Sequence, residues 1–317
     1  KGDEYNQSQQ QEEKIGPMLQ VAWSPVYNHP LPENHRFPMV KYDLIKEQLQ
    51  YEGTLSESNF FTPKSLDHQW ILTTHSTAYL NKLLNLQLNK AEIRRTGFPL
   101  TKSLVDREIV IMGGTLECCQ YALETGVSLN IAGGTHHAYS DHGEGFCLLN
   151  DLAIAANYLI AADLAKRVLI VDLDVHQGNG TASLFAQRDD VYTLSIHGQN
   201  NYPYKKEWSD CDVALPDGTD DERYLAILDE VIDETIRLHS PDFVLYQCGV
   251  DVLANDKLGR IGMTVHGIKE RDRLLFNVAS SKGIPVVASM GGGYSEKLAD
   301  IIECHANTFR LAQEIYF

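Results

Sequence analysis

The run Val168-Leu169-Ile170-Val171 is apolar throughout and leads directly into Asp172-Leu173-Asp174-Val175-His176-Gln177-Gly178-Asn179-Gly180. A strand with no polar alternation is covered on both faces, which is the condition of a parallel sheet inside an α/β fold. Side chains alternate along a strand, so an extension through residue 176 would point Asp172, Asp174 and His176 to one face. Two acids and an imidazole at the carboxyl end of a buried strand oppose stability. Open α/β sheets bind ligands at that end, and a metal ion would offset the desolvation of the carboxylates.

The same pattern recurs along the chain. Candidate strands are Leu19–Trp23, Val127–Ile131, Val168–Leu173, Val191–Ile196, Phe243–Cys248 and Pro285–Ser289. Helical segments lie between them, including Leu152–Ala165 after the cap residue Asn150, and Asp221–His239 with Leu225, Leu228, Ile232 and Ile236 at helical spacing. Strands alternating with helices predict βαβ units and a parallel sheet. No linker or repeat interrupts residues 18–317, which therefore read as one α/β domain. Residues 1–17 are polar and rich in Gln and Glu, and read as a flexible tail or an expression remnant.

Four turns carry the polar chemistry, each just past a strand: Gly133-Gly134-Thr135-His136-His137, the Asp172–Gly180 run, Gly249-Val250-Asp251 and Gly291-Gly292-Gly293-Tyr294. They are expected to converge on one edge of the sheet. Asp174 and His176, with Asp251 from another strand end, make three oxygen and nitrogen ligands with a position left open, the pattern of catalytic rather than structural zinc. That donor set also suits iron, cobalt or manganese. His136 and His137 suit proton transfer near neutrality. Each needs a partner on its other ring nitrogen, and Asp172 and Asn179 are the natural candidates. Tyr294, after three glycines, could donate to an oxyanion. Together these groups indicate metal-assisted amide hydrolysis. His142 is placed on a loop near the site; His29, His35, His68, His75, His239, His266 and His305 read as surface or packing residues, and His197 is given no role.

Composition narrows the partners. The formal net charge of −16 argues against direct nucleic-acid binding and mildly favours cationic partners such as lysine-rich peptides. No stretch approaches the roughly 20 apolar residues of a membrane span. Six cysteines without CxxC spacing read as reduced thiols in a cytoplasmic protein, or a nuclear one in a eukaryote. Oligomeric state leaves no mark in the sequence.

The segments GGTHHA (133–138), GEGFCLLND (143–151), DLDVHQGNG (172–180), CGVD (248–251) and MGGGYS (290–295), with His-Arg-Phe-Pro-Met at 35–39, resemble the histone deacetylase family of the arginase/deacetylase superfamily. The resemblance spans about residues 19–312, in family order. Gln177 and Asn179 are similar to the class IV group and its bacterial relatives. The resemblance implies a single α/β domain with an eight-stranded, mostly parallel sheet flanked by helices. It implies one zinc ion held by Asp174, His176 and Asp251, with His137 as general base and acid and His136, paired with Asp172, as an electrostatic partner. Tyr294 would polarise the acyl carbonyl. Gly145 and Phe146 fall on one wall of an acyl-lysine tunnel, Tyr202 before Pro203 on the other, and Arg36 near an internal acetate channel. A structural potassium site is implied at Asp172, Asp174, His176, Ser195 and Ile196, partly through main-chain carbonyls.

Three positions depart from the family pattern. Asn179 replaces a class I aspartate, so the partner of His137 is neutral and its pKa should be lower. Gly97 occupies the place of a rim aspartate that grips the substrate backbone. Leu258 stands at the gatekeeper glutamate of polyamine deacetylases and cannot pair with a substrate ammonium. The expected activity is zinc-dependent removal of acetyl, or long-chain fatty acyl, groups from lysine side chains of proteins; Thr135 is a residue that could set pocket depth. Alternatives are a deacetylase of small acetylated amines, an acyl-lysine-binding scaffold with little activity, and a binuclear manganese hydrolase. Asn179 and Val252 offer no ligands for the last.

Overall fold

Eight strands form one sheet in the computed structural model, which describes residues 16–317. The expected tail, residues 1–17, lies outside the described residues except for its last two. The strands are β1 (Gln20–Ala22), β2 (Phe60–Phe61), β3 (Val127–Asn130), β4 (Val168–Asp172), β5 (Val191–Gly198), β6 (Cys211–Leu215), β7 (Phe243–Gln247) and β8 (Val286–Ser289). Their order is β2-β1-β3-β8-β7-β4-β5-β6. Every pairing is parallel, so the sheet is wholly rather than mostly so.

This order positions the site. The chain builds β4, β5 and β6 on one side, then returns to insert β7 and β8 between β4 and β3. The strands β3, β8, β7 and β4 thus become neighbours, and the four polar turns that follow them meet at one sheet edge. β4 and β7 are buried at every position, as their unbroken apolar runs require. The predicted helix after Asn150 spans Asp151–Ala161, with the Asn150 side chain accepting from Ala153 N, and Asp221–His239 forms as read from its spacing.

Two strands have no counterpart in the sequence reading. β2 is two residues long, and β6 is an edge strand with alternating exposure. The extension past Asp172 also fails: β4 ends there, because Asp172 Oδ1 accepts from Asp174 N at 3.2 Å and Asp174 Oδ1 accepts from His176 N at 2.9 Å. Short acidic side chains that bond the backbone two residues on bend the chain instead of extending it. No helix among the described residues is long and apolar enough to cross a membrane. All six cysteines are unbridged.

Arg271, fully buried on the helix Val265–Ser281, ties the site-bearing strand ends together. Its guanidinium donates to the carbonyls of Leu173, Gly249 and Cys248 and pairs with Asp272 at 2.8 Å. Arg271→Leu would leave the buried Asp272 charge unpaired and three carbonyls without donors. We expect a loss of about 3–5 kcal/mol of stability, read as a lowered urea midpoint with an unchanged m-value.

Candidate active site and metal centre

Asp174, His176 and Asp251 meet just past β4 and β7, their ligand atoms all within 4.8 Å of one another and all three residues buried. Nδ1 of His176 faces both carboxylates, at 3.0 Å from Asp174 Oδ1 and 3.1 Å from Asp251 Oδ2. The remaining carboxylate oxygens are held by fixed donors. Asp174 Oδ2 accepts from Gln247 Nε2 and Gly292 N, both at 2.9 Å, and Asp251 Oδ1 accepts from Val175 N at 2.9 Å. Gly292 is obligatory, since a Cβ there would strike the Asp251 carboxylate.

The cluster fits a divalent cation. Burial, with the nearby Asp174 charge, pushes Asp251 up to about 7. Against its own burial, His176 is held protonated up to about 10 by the two carboxylates. Two buried acids and an imidazole this close lower their free energy by gathering positive charge. No other group of three or more His, Cys, Asp or Glu among the described residues is as close.

The two histidines lie beside this cluster, their ring centroids 4.1 Å apart. His136 Nδ1 lies 2.6 Å from Asp172 Oδ2, and His137 Nδ1 lies 2.6 Å from Asn179 Oδ1. Their electrostatics diverge. Burial disfavours a charged His136, but Asp172 and Asp174 outweigh it and hold its pKa above the ordinary histidine value. Burial, reinforced by His136 and His176, drives His137 well below that value, with the Asn179 hydrogen bond and the Asp174 charge opposing.

Glu144, to which the sequence reading gave no role, fixes the orientation of Asn179. Its Oε1 accepts from Asn179 Nδ2 and from the Tyr202 hydroxyl, each at 2.6 Å. A carboxylate oxygen takes the amide nitrogen, so the amide oxygen turns to His137. His137 Nδ1 then carries the hydrogen and Nε2 keeps its lone pair. The available signal was an acid between two glycines, Gly143 and Gly145.

Aromatic rings wall the approach. Phe146 packs on Phe37, Phe98 and Tyr294 with centroids 5.4, 5.3 and 5.9 Å away. It adopts φ +66°, held there as Phe146 N donates to Thr96 O and Gly145 N to Arg95 O. Tyr202 stands opposite, edge-on to His137 at 5.1 Å. Tyr294 is anchored by its amide to Asp256 Oδ2 at 2.6 Å, and burial with Asp251 and Asp174 raises its phenol well above the usual value, so it stays a donor. Behind it Lys41, fully buried, donates to Gly291 O at 3.0 Å with Nζ 5.8 Å from the Tyr294 ring. Burial brings this lysine down to about 8. A lysine on an amphipathic helix gave no sequence signal for such a place.

One expected residue lies elsewhere. Arg36 is exposed at the outer mouth, its guanidinium carbon 5.9 Å from the Phe146 ring centroid, and does not line the inner cavity. Its neighbour Phe37 takes the inward position among the aromatic rings and turns the arginine out. The inner cavity, of about 40 Å³, is lined instead by Arg107 and Glu108 beside Thr135, the two histidines, Asp174 and His176. Leu258 and Tyr202 line the outer vestibule. Gly97 caps a helix at φ +80° against the Phe146 ring, which leaves no room for a side chain. Asp172 pairs with Ser195 in the β4–β5 register, with Ile196 next along β5. His35 packs on Phe98 and bonds Gly97 O at 2.8 Å; His142 sits 2.6 Å from Asp141.

Residues 35–309 match the family model of the histone deacetylase domain. An uncharacterized protein of Picosynechococcus sp. is 40% identical over 93% of this chain and 99% of its own length. Histone deacetylase 2 of Arabidopsis thaliana is 31% identical over 84% of this chain and 72% of its own. Histone deacetylase 1 of Homo sapiens is 27% identical over 84% of this chain and 58% of its own. The crystal structure of the HDA15 HD domain shares the fold at a TM-score of 0.78, with 21% identity over 94% of this chain and 88% of that one.

Removing the Glu144 carboxylate frees the Asn179 amide to turn its nitrogen toward His137. In Glu144→Ala the Nδ1–H form of His137 should lose its preference, read from ring ¹⁵N chemical shifts. Any turnover that depends on Nε2 should fall about tenfold to a hundredfold, the usual scale for an orienting partner.

Proposed function

The chain belongs to the histone deacetylase family, and from that premise we propose that it is a zinc-dependent hydrolase that removes acetyl groups from lysine side chains. The observation that carries this reading is the meeting of the Asp174–His176–Asp251 cluster with a neutral His137, a charge-favouring His136 and the Tyr294 hydroxyl on one narrow cavity. Asp174, His176 and Asp251 would hold the zinc, which when bound supplies Lewis-acid activation of the amide carbonyl and of the attacking water. Asp172 Oδ1 and Ser195 Oγ, with main-chain carbonyls of Asp174, His176 and Ile196, would hold a structural potassium ion between β4 and β5.

The chain's own groups then divide the work. His137 Nε2, left basic by the Asn179 contact, takes the proton of the water as its oxygen bonds the acyl carbon. The same proton passes to the lysine nitrogen as the C–N bond breaks, releasing a carboxylic acid and an amine, and the second water proton then moves from the acid to the amine to give carboxylate and ammonium. His136, with Asp172 behind it, keeps positive charge near the developing oxyanion. The Tyr294 hydroxyl donates to that oxygen, and Phe146 and Tyr202 exclude water from the lysine stem.

The size and polarity of the cavity favour short acyl groups. A volume of about 40 Å³ beside the Arg107–Glu108 pair accommodates an acetyl methyl and a few waters, whereas a fatty chain would have to displace the packed wall. Myristoyl-lysine peptides should react at least about tenfold more slowly than acetyl-lysine peptides, the effect of about 1.4 kcal/mol of overpacking.

The decisive experiment compares acetyl-, trifluoroacetyl- and myristoyl-lysine peptides with and without a chelator. Chelation should abolish turnover and added zinc restore it; equal rates in both conditions would refute the metal mechanism. Tyr294→Phe removes one oxyanion donor and should lower kcat/KM by an amount equivalent to about 2–4 kcal/mol.

The pH profile gives a separate check. A base whose pKa is depressed by burial is neutral above that pKa and protonated below it. The acid limb of kcat/KM should therefore lie below the ordinary histidine value of about 6.5. A limb at or above it would remove His137 from the role of base.

A further inference from the structure

The tunnel opens into a vestibule of about 440 Å³ whose charge opposes that of the protein. The chain carries 43 Asp and Glu against 27 Lys and Arg. The vestibule is nevertheless lined by Arg36, Arg94, Arg95, Lys257 and Arg260, and by no acidic residue. These five cations come from three separate parts of the chain: the segment after β1, the helix Lys90–Thr96 and the loop after β7. All five are exposed. Only Arg260 reaches a carboxylate, Asp217 at 3.3 Å, among the described residues.

A helix dipole accounts for Arg94 and Arg95 at the end of their helix, but not for Arg36, Lys257 or Arg260. Exposed cations, four of the five without a carboxylate partner, gathered around one concavity create a positive potential that steers and holds anions. Tyr204, 94% exposed, stands on the same rim as a surface on which a peptide chain can pack. The net negative charge by itself suggests lysine-rich partners, but the charge that meets the substrate has the opposite sign.

We propose that the preferred substrate is an acyl-lysine set in an acidic segment of a protein, with Asp or Glu within a few residues of the lysine. This rests on the deacylase reading and adds the sequence context it selects. The acyl-lysine enters as a neutral amide, so the positive rim does not oppose it. The product carries an ammonium group, and the same rim repels it on the way out.

The test uses the zinc-loaded full chain and three acetyl-lysine peptides of equal length, with acidic, neutral and basic flanks. The acidic peptide should exceed the basic one in kcat/KM by about tenfold, the scale of several exposed ion pairs acting together. The gap should narrow at about 0.5 M salt, where such charges are screened. In the triple variant Arg94→Glu, Arg95→Glu, Lys257→Glu the order should invert, whereas a merely damaged rim would lower all three peptides alike. Turnover of the neutral peptide without charge preference, or a preference for the basic one, would overturn this inference alone. No turnover of any peptide would overturn the deacylase reading and this inference with it.

Discussion

Two carboxylates, Asp174 and Asp251, are buried close enough for one imidazole nitrogen to touch both. Left alone, that arrangement repels itself in a medium too poor in water to screen it. Much of the surrounding structure answers this constraint. Gln247 at the end of β7 and the amide of Gly292 bind one acid, and the amide of Val175 binds the other. Arg271 holds the strand ends from behind by their carbonyls. The repulsion within the site is thus opposed from the sheet, from the loops and from a helix.

Two adjacent histidines are pushed toward opposite protonation states by their surroundings. Asp172 presents a full negative charge to His136, while Asn179 presents only a dipole to His137. The amide is aligned in turn by Glu144, which also takes the Tyr202 hydroxyl. One wall of the approach to the cavity and the tautomer of His137 are thus set by a single carboxylate. On the other side, Lys41 links the glycine turn to the rings around Tyr294 without reaching solvent.

What could be read from the sequence follows from which signals are local. The central strands β3, β4, β7 and β8 are legible as apolar runs because both of their faces are covered, and the turns after them are legible because glycine and acid follow directly. Edge strands lack that signature; β6 alternates in exposure and β2 pairs through only two residues. Cations on helices such as Lys41 and Arg107 carry no local sign of burial, and only tertiary packing buries them. The assignment of Arg36 to the inner channel failed for a related reason, since a loop with adjacent Arg and Phe does not declare which side chain turns inward. The vestibule is the plainest case: its five cations are scattered from residue 36 to residue 260, and no window of sequence contains their sum.

The strand order also bears on when the site comes into being. β8 is wedged between β3 and β7, although it comes last in chain order among the eight strands of the described residues. Asp174, His176 and Asp251 precede it, yet the Gly292 amide that restrains Asp174 and the tyrosine that faces the cavity both follow it. Until that strand is inserted, the two halves of the sheet have no common edge and the histidines of the β3 loop lie on the other half from the acids. A chain that has not yet placed β8 therefore holds the Asp174–His176–Asp251 cluster without the Gly292 amide and Tyr294 beside it.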